Sequence, residues 1–249
     1  MMDLLHDVSR LIHIGLGFIG LVVFWLPVLA KKGGWLHVTA GKVFVVCAYG
    51  VTLSAFFSSV YYLTDLVSRN VAIGDDPNYA FLVFLAYLSI VTFSSVRHGV
   101  VVAQTKKDRT KADTPFHRSL AWLSVFGSVG VILFSVLFWS AISVILLALS
   151  PIGIGNFRGI LRYLNQKPLI ARAWFYEHMS AMIGSGIAFH TAFAVFGGRR
   201  LFDLNLVGFW AVIPWILPAA IGIPASILWD RYYRKKFGDP AKSDSVSVA

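Results

Sequence analysis

Charge is scarce in this chain. Only 14% of its 249 residues are Asp, Glu, Lys or Arg, and 57% are hydrophobic. Soluble domains carry about 25% charged residues. This balance excludes an ordinary water-soluble domain and points to helices in a bilayer. Cysteine is limited to Cys47, inside an apolar stretch, which excludes an intrachain disulfide and argues against thiol chemistry. Acids are sparse in the apolar stretches: Asp65 and Asp203 fall at outer boundaries, and Glu177 lies near the start of one stretch. That sparsity argues against an ion-coupled pump. The opening residues, Met1-Met2-Asp3-Leu4-Leu5-His6-Asp7, lack the basic stretch and small-residue cleavage site of a removable signal. The first apolar stretch is therefore expected to be retained. No soluble domain is evident, and no linker is long enough to hide one.

What is present is a series of apolar runs with aromatic residues at their ends. The pattern predicts seven spanning helices over 11–30, 36–63, 79–104, 118–137, 139–155, 174–196 and 205–229. About 20 helical residues cross a hydrocarbon core of about 30 Å. The fifth run is interrupted by Ser150-Pro151 and Gly153, and the uncharged stretch 119–150 could be read as one helix. Charge decides between the readings. Two helices there place all but four of the 22 Lys and Arg residues on one side, the exceptions being Arg10, Arg69, Arg199 and Arg200. One helix would split them evenly. The positive-inside rule selects the first reading, with the N-terminus out and the C-terminus in. Trp35, Trp174 and Trp229 then fall at inner interfaces, and Tyr61, Tyr62, Tyr79 and Trp139 at outer ones.

The expected architecture is all-α: a polytopic integral membrane helix bundle in a bacterial inner membrane. Residues 1–237 would form one transmembrane domain, and 238–249 a disordered cytoplasmic tail. The net charge of +10 reads as a topology signal and a contact with anionic lipid of the bilayer. A nucleic-acid partner has no further support.

Gly15-Leu16-Gly17-Phe18-Ile19-Gly20 spells G-x-G-x-x-G, but no strand precedes it and it lies within a span, so it is not a dinucleotide site. Its small residues suit close helix packing or a flat ligand. Ser180, Gly184 and Ala188 form a similar ridge. Helix 7 carries Pro214, Pro218, Gly222 and Pro224, which predict bends.

Histidine is the most informative residue type. His37, His117 and His178 lie at the starts of spans and His98 lies near the end of another, all on the expected cytoplasmic side. His13 and His190 belong to the outer half, His190 lying deepest along its span, whereas His6 reads as a solvated tail residue. A single histidine at headgroup depth is ordinary. Four on one face, with two more at another level, suggest two stacked sites. Bis-histidine haem b is held this way between helices. His13 and His190 would serve an outer haem, and two of His37, His98, His117 and His178 an inner one. His178 and His190 are twelve residues apart, about 18 Å of rise and about 120° of rotation; a shared face would need a kink or different partner helices.

Zinc is the other chemical option, with His37, His98, His117 and His178 as its candidate ligands. Ser94, Ser95 and His98 are similar to the Ser-x-x-x-His element of seven-span zinc hydrolases, but the late His-x-x-x-His pair of those enzymes is missing. A transporter or sensor with a histidine-lined cavity is the alternative to a haem-based electron-transfer protein, and a zinc hydrolase ranks third. Neither a substrate nor an electron partner is named by the sequence.

Three strings carry a resemblance: His13-x-Gly15; Lys32-Gly33-Gly34-x-x-His37-x-x-x-Gly41-Lys42; and His178-Met179 leading to Thr191-Ala192-Phe193. They resemble an uncharacterised family of bacterial membrane proteins with about seven spans and span-end histidines, over most of 11–200. The histidines near both faces are also similar in arrangement to diheme cytochrome b561-like membrane proteins, a likeness that implies haem at two levels.

Overall fold

Apolar residues crowd seven stretches, and in each the backbone satisfies itself as helix. The computed structural model describes residues 2–76, 78–106, 108–165 and 170–240, together with their side chains except those of 2–6 and 209. The described residues contain no strand. Helices α1 (Met2–Leu29), α2 (Trp35–Ser68), α3 (Asn78–Thr105) and α4 (Pro115–Leu137) come first. Helices α5 (Ser143–Leu149) and α6 (Pro151–Asn165) follow. Helix α7 (Ala173–Ala192) runs through a π-helical turn at Phe193–Gly198 into the single turn α8 (Arg199–Leu201), and α9 (Ile213–Phe237) ends the series. Seven helical stretches are long and apolar enough to cross a membrane, with α5 and α6 counting as one and α7 to α8 as another.

Local chemistry sets the ends. Thr114 caps α4 by accepting the His117 N–H on its hydroxyl, and Pro115 follows at the first helical position. Gly238, at φ +68°, closes α9 with the Asp239 N–H on the Arg234 carbonyl. Between α1 and α2, Gly33 takes φ +76°. Lys32 Nζ donates to the Pro27 and Val28 carbonyls at the end of α1, and burial pushes its ammonium below the usual value. The basic Lys31–Gly34 string is thus a turn that caps a helix.

Two spans depart from their expected limits. The fifth covers Ser143–Asn165, starting about four and ending about ten residues later than hydropathy alone placed it, and the seventh covers Ile213–Phe237, about eight residues later at both ends. Consequently Arg158 and Arg162 lie within α6, and Arg231, Arg234, Lys235 and Lys236 within the last turns of α9. In the seventh, the chain before Pro214 forms a 3-10 turn at Gly208–Ala211, and Pro214 sits in the first turn of α9, where its missing N–H costs nothing. Lys107 and Lys167, assigned to inner loops, and residues 241–249 of the expected tail lie outside the described residues.

The fifth span continues because its break is repaired. Pro151 has no N–H for the Leu147 carbonyl, and the Ser150 hydroxyl donates to that carbonyl instead, at 2.9 Å. Tyr87 on α3 supplies the rest. Its phenol donates to the Ser150 carbonyl at 2.7 Å and accepts the Gly153 N–H at 2.9 Å. A Cβ on Gly153 would overlap the Ser124 carbonyl of α4, so only glycine allows the two backbones to approach this closely.

The chain divides into two compact units. The first comprises Met1–Arg97 and Asp113–Arg162, and the second His98–Ala112 and Tyr163–Ala249. In the first, α1 packs along α2 with Leu16 filling the space over Gly50 and Phe24 against Phe44 at 5.3 Å. In the second, α7 meets α3 at Gly99, where a Cβ would overlap Met182, and meets α9 at Gly222, over Ile187. Large apolar side chains cover the exposed faces of both: Leu133 is 56% exposed in the first and Ile221 62% in the second. Such surfaces are stable against lipid and aggregate in water. The Ser180–Gly184–Ala188 ridge has open space at Gly184; close approaches occur instead at Gly50, Gly99, Gly127, Gly153 and Gly222.

Candidate functional site

Four of the six candidate histidines share one geometry: Nδ1 is bound to a backbone carbonyl. In the first unit, His13 on α1 reaches the Val51 carbonyl of α2 at 3.2 Å and the Ser54 hydroxyl oxygen at 3.1 Å. His37 on α2 reaches the Pro27 carbonyl of α1 at 2.9 Å. In the second unit, His178 on α7 reaches the Gly99 carbonyl of α3 at 2.8 Å. His190 reaches the Gly186 carbonyl one turn back on its own helix at 2.7 Å. A carbonyl only accepts, so Nδ1 carries the proton in each ring and the basic lone pair resides on Nε2. This is the second contact that orients a metal-ligating imidazole and raises its basicity. All four rings are half-buried.

His98 and His117 differ. Both are nearly inaccessible, at 4% and 1% exposure. His98 Nε2 faces Glu177 Oε2 at 3.6 Å, an ion-pair distance, and the ring meets Tyr163 edge-on with centroids 5.6 Å apart. Arg109 lies over the Tyr163 ring and donates to the Tyr163 carbonyl at 2.7 Å. Tyr163 Oη is buried without a hydrogen-bond partner. The second unit therefore holds an imidazole, a carboxylate and a phenol in one buried neighbourhood, a set suited to holding and moving a proton. His117 sits in the first turn of α4. Beside it, the Arg118 guanidinium holds the Asp113 carboxyl below the usual carboxylate range, with a smaller contribution from His117.

The structure thus places His13, His37 and His117 in the first unit and His98, His178 and His190 in the second. Among the described residues, no three His, Cys, Asp or Glu side chains gather as a metal-ligand set. Neither the carbonyl anchors nor the Glu177 and Tyr163 neighbours of His98 are visible in the sequence pattern. Glu177 gave a signal, as an acid at a span's start, but its partner stands on another helix. No family model, curated protein or solved structure matches the chain.

Proposed function

We propose that this multi-spanning membrane protein binds b-type haem and takes part in membrane electron transfer, with His13, His37, His178 and His190 supplying axial nitrogens. The common Nδ1–carbonyl anchor carries this reading. A haem ligand must be a neutral imidazole of fixed tautomer and direction, and the anchor meets both needs. When bound, haem supplies the one-electron chemistry. The chain's part is to present Nε2, keep water away with apolar helices and so set the potential. The arrangement shared with diheme cytochrome b561-like proteins supports the same reading. The charge distribution supports a bacterial inner membrane with the C-terminus inside and anionic lipid along that face. Zinc ranks lower, because no three ligating side chains gather among the described residues.

The His98–Glu177 pair favours a second reading, a transporter or sensor in which this pair exchanges protons. Haem content separates the two. The protein is expressed with haem supplementation, purified in mild detergent and assayed for bound haem. His→Ala changes at the four anchored positions are expected to lower haem content and H98A and H117A to spare it. Colourless, folded protein after haem reconstitution would remove the first reading and leave the second.

A further inference from the structure

Two buried polar atoms of the first unit, Ser94 Oγ and Arg97 Nε, lack an acceptor. Both lie on α3, sealed from solvent without a hydrogen-bond partner, and Tyr49 Oη on α2 is sealed beside them with the Arg97 guanidinium as its polar neighbour. The buried serines elsewhere in the spans do not share this state. Ser54, Ser59, Ser89, Ser124, Ser128, Ser135 and Ser185 each donate to the carbonyl four residues back. Ser94, fully buried, does not use that local acceptor, although an ordinary serine rotamer would reach it.

The three residues are brought to one place by the α2–α3 contact. Ser94 and Arg97 are one turn apart on α3 and so share a face. Tyr49 packs on Phe93 with centroids 5.0 Å apart and lies within electrostatic reach of the Arg97 guanidinium. Among the described residues, no carboxylate forms an ion pair with Arg97. Arg97 stands eight residues before the end of α3, about 12 Å into the span. Charges at such depth are paired or belong to a site.

The chemistry of the missing partner follows from the donors. Arginine Nε is a donor only, and both hydroxyls can donate; the partner must be an acceptor. The guanidinium charge calls for an anion, and its planar fork matches two oxygens of a carboxylate or phosphate. An anion at this depth must arrive with an apolar body. We propose that Arg97, Tyr49 and Ser94 form an intramembrane oxyanion site for the carboxylate or phosphate head of a lipid-like amphiphile. The site does not depend on haem.

Full-length protein, delipidated in an uncharged maltoside detergent, is titrated with oleate, with dioleoyl phosphatidylglycerol, and with the neutral oleyl alcohol and dioleoylglycerol, following thermal unfolding. At least one anionic amphiphile is expected to raise Tm by several degrees where its neutral counterpart does not, and which one succeeds distinguishes carboxylate from phosphate. R97Q is expected to weaken binding roughly tenfold or more, and S94A and Y49F each by roughly two- to tenfold. S94A is expected to leave the ligand-free Tm unchanged or higher, since it removes a hydroxyl that has no partner; a purely structural serine would lower it. If R97Q does not fold, S94A and Y49F decide. Equal stabilisation by the neutral compounds, or undiminished binding to S94A and Y49F, would overturn the proposal.

Discussion

At Tyr87 one phenol oxygen serves two backbone groups across a helix break, and it stands 3.3 Å from Ser128 Oγ on a third helix. Y87F leaves the Gly153 N–H and the Ser150 carbonyl in an apolar interior. The expected cost is about 1–3 kcal/mol, readable as a shift in the SDS-unfolding midpoint of the purified protein. Gly153→Ala should cost a similar amount, about 1–3 kcal/mol, because α4 and α6 must separate to admit the methyl group. A Gly153→Ala protein as stable as the native one would mean that the helices do not meet there. Gly99 has a functional counterpart to this role. Gly99→Val presses on Met182 and Ala181 and should displace the carbonyl that anchors His178. Loss of bound haem beyond any loss of folded protein is the expected outcome.

Helix α4 depends on a polar start to an apolar run. Thr114→Ala removes its cap and should cost about 1 kcal/mol, measured by the same unfolding equilibrium. Asp113 and Arg118 pair at this end through two contacts, at 2.5 and 2.8 Å. The Asp113 carboxyl is held below its usual value, so the pair's stabilisation is complete above that usual value, about 4, and is lost as pH falls through the lowered one. D113N should flatten this acid-side loss. The pair is exposed enough for salt to weaken it.

The seven apolar runs were legible because hydropathy and helix length are local properties. The limits of α5–α6 were not. Pro151 reads as a stop, whereas the helix resumes because Tyr87, 63 positions earlier, takes the Ser150 carbonyl. The candidate histidines were legible by type and by position at span ends. Their division into anchored and carboxylate-facing rings was not, because the anchors at Val51, Pro27, Gly99 and Gly186 are backbone carbonyls, which every residue possesses. Only the tertiary approach of helices selects them. Arg97 reads as one more inner cation from charge alone, and only the approach of α2 to α3 sets Tyr49 and the unpartnered Ser94 hydroxyl beside it.

For the chain as a whole, the basic residues predict the orientation, and the shifted spans sharpen the test. With Arg158 and Arg162 in the last turns of α6, and Arg231 to Lys236 in the last turns of α9, both helices should end at the cytoplasmic face. A green fluorescent protein fused at the C-terminus should fluoresce, and alkaline phosphatase at the same place should be inactive. The reverse pair of results would invert every span and with it the inner and outer histidine levels. Seven apolar helices form a setting in which four half-buried imidazoles each hold Nδ1 on a backbone carbonyl. The central claim is that this setting holds haem. A reduced-minus-oxidised visible spectrum of the purified, haem-supplemented protein tests it most directly. The account predicts a sharp low-spin b-type band that H13A, H37A, H178A and H190A each diminish. A flat spectrum from well-folded, haem-supplemented protein would contradict it.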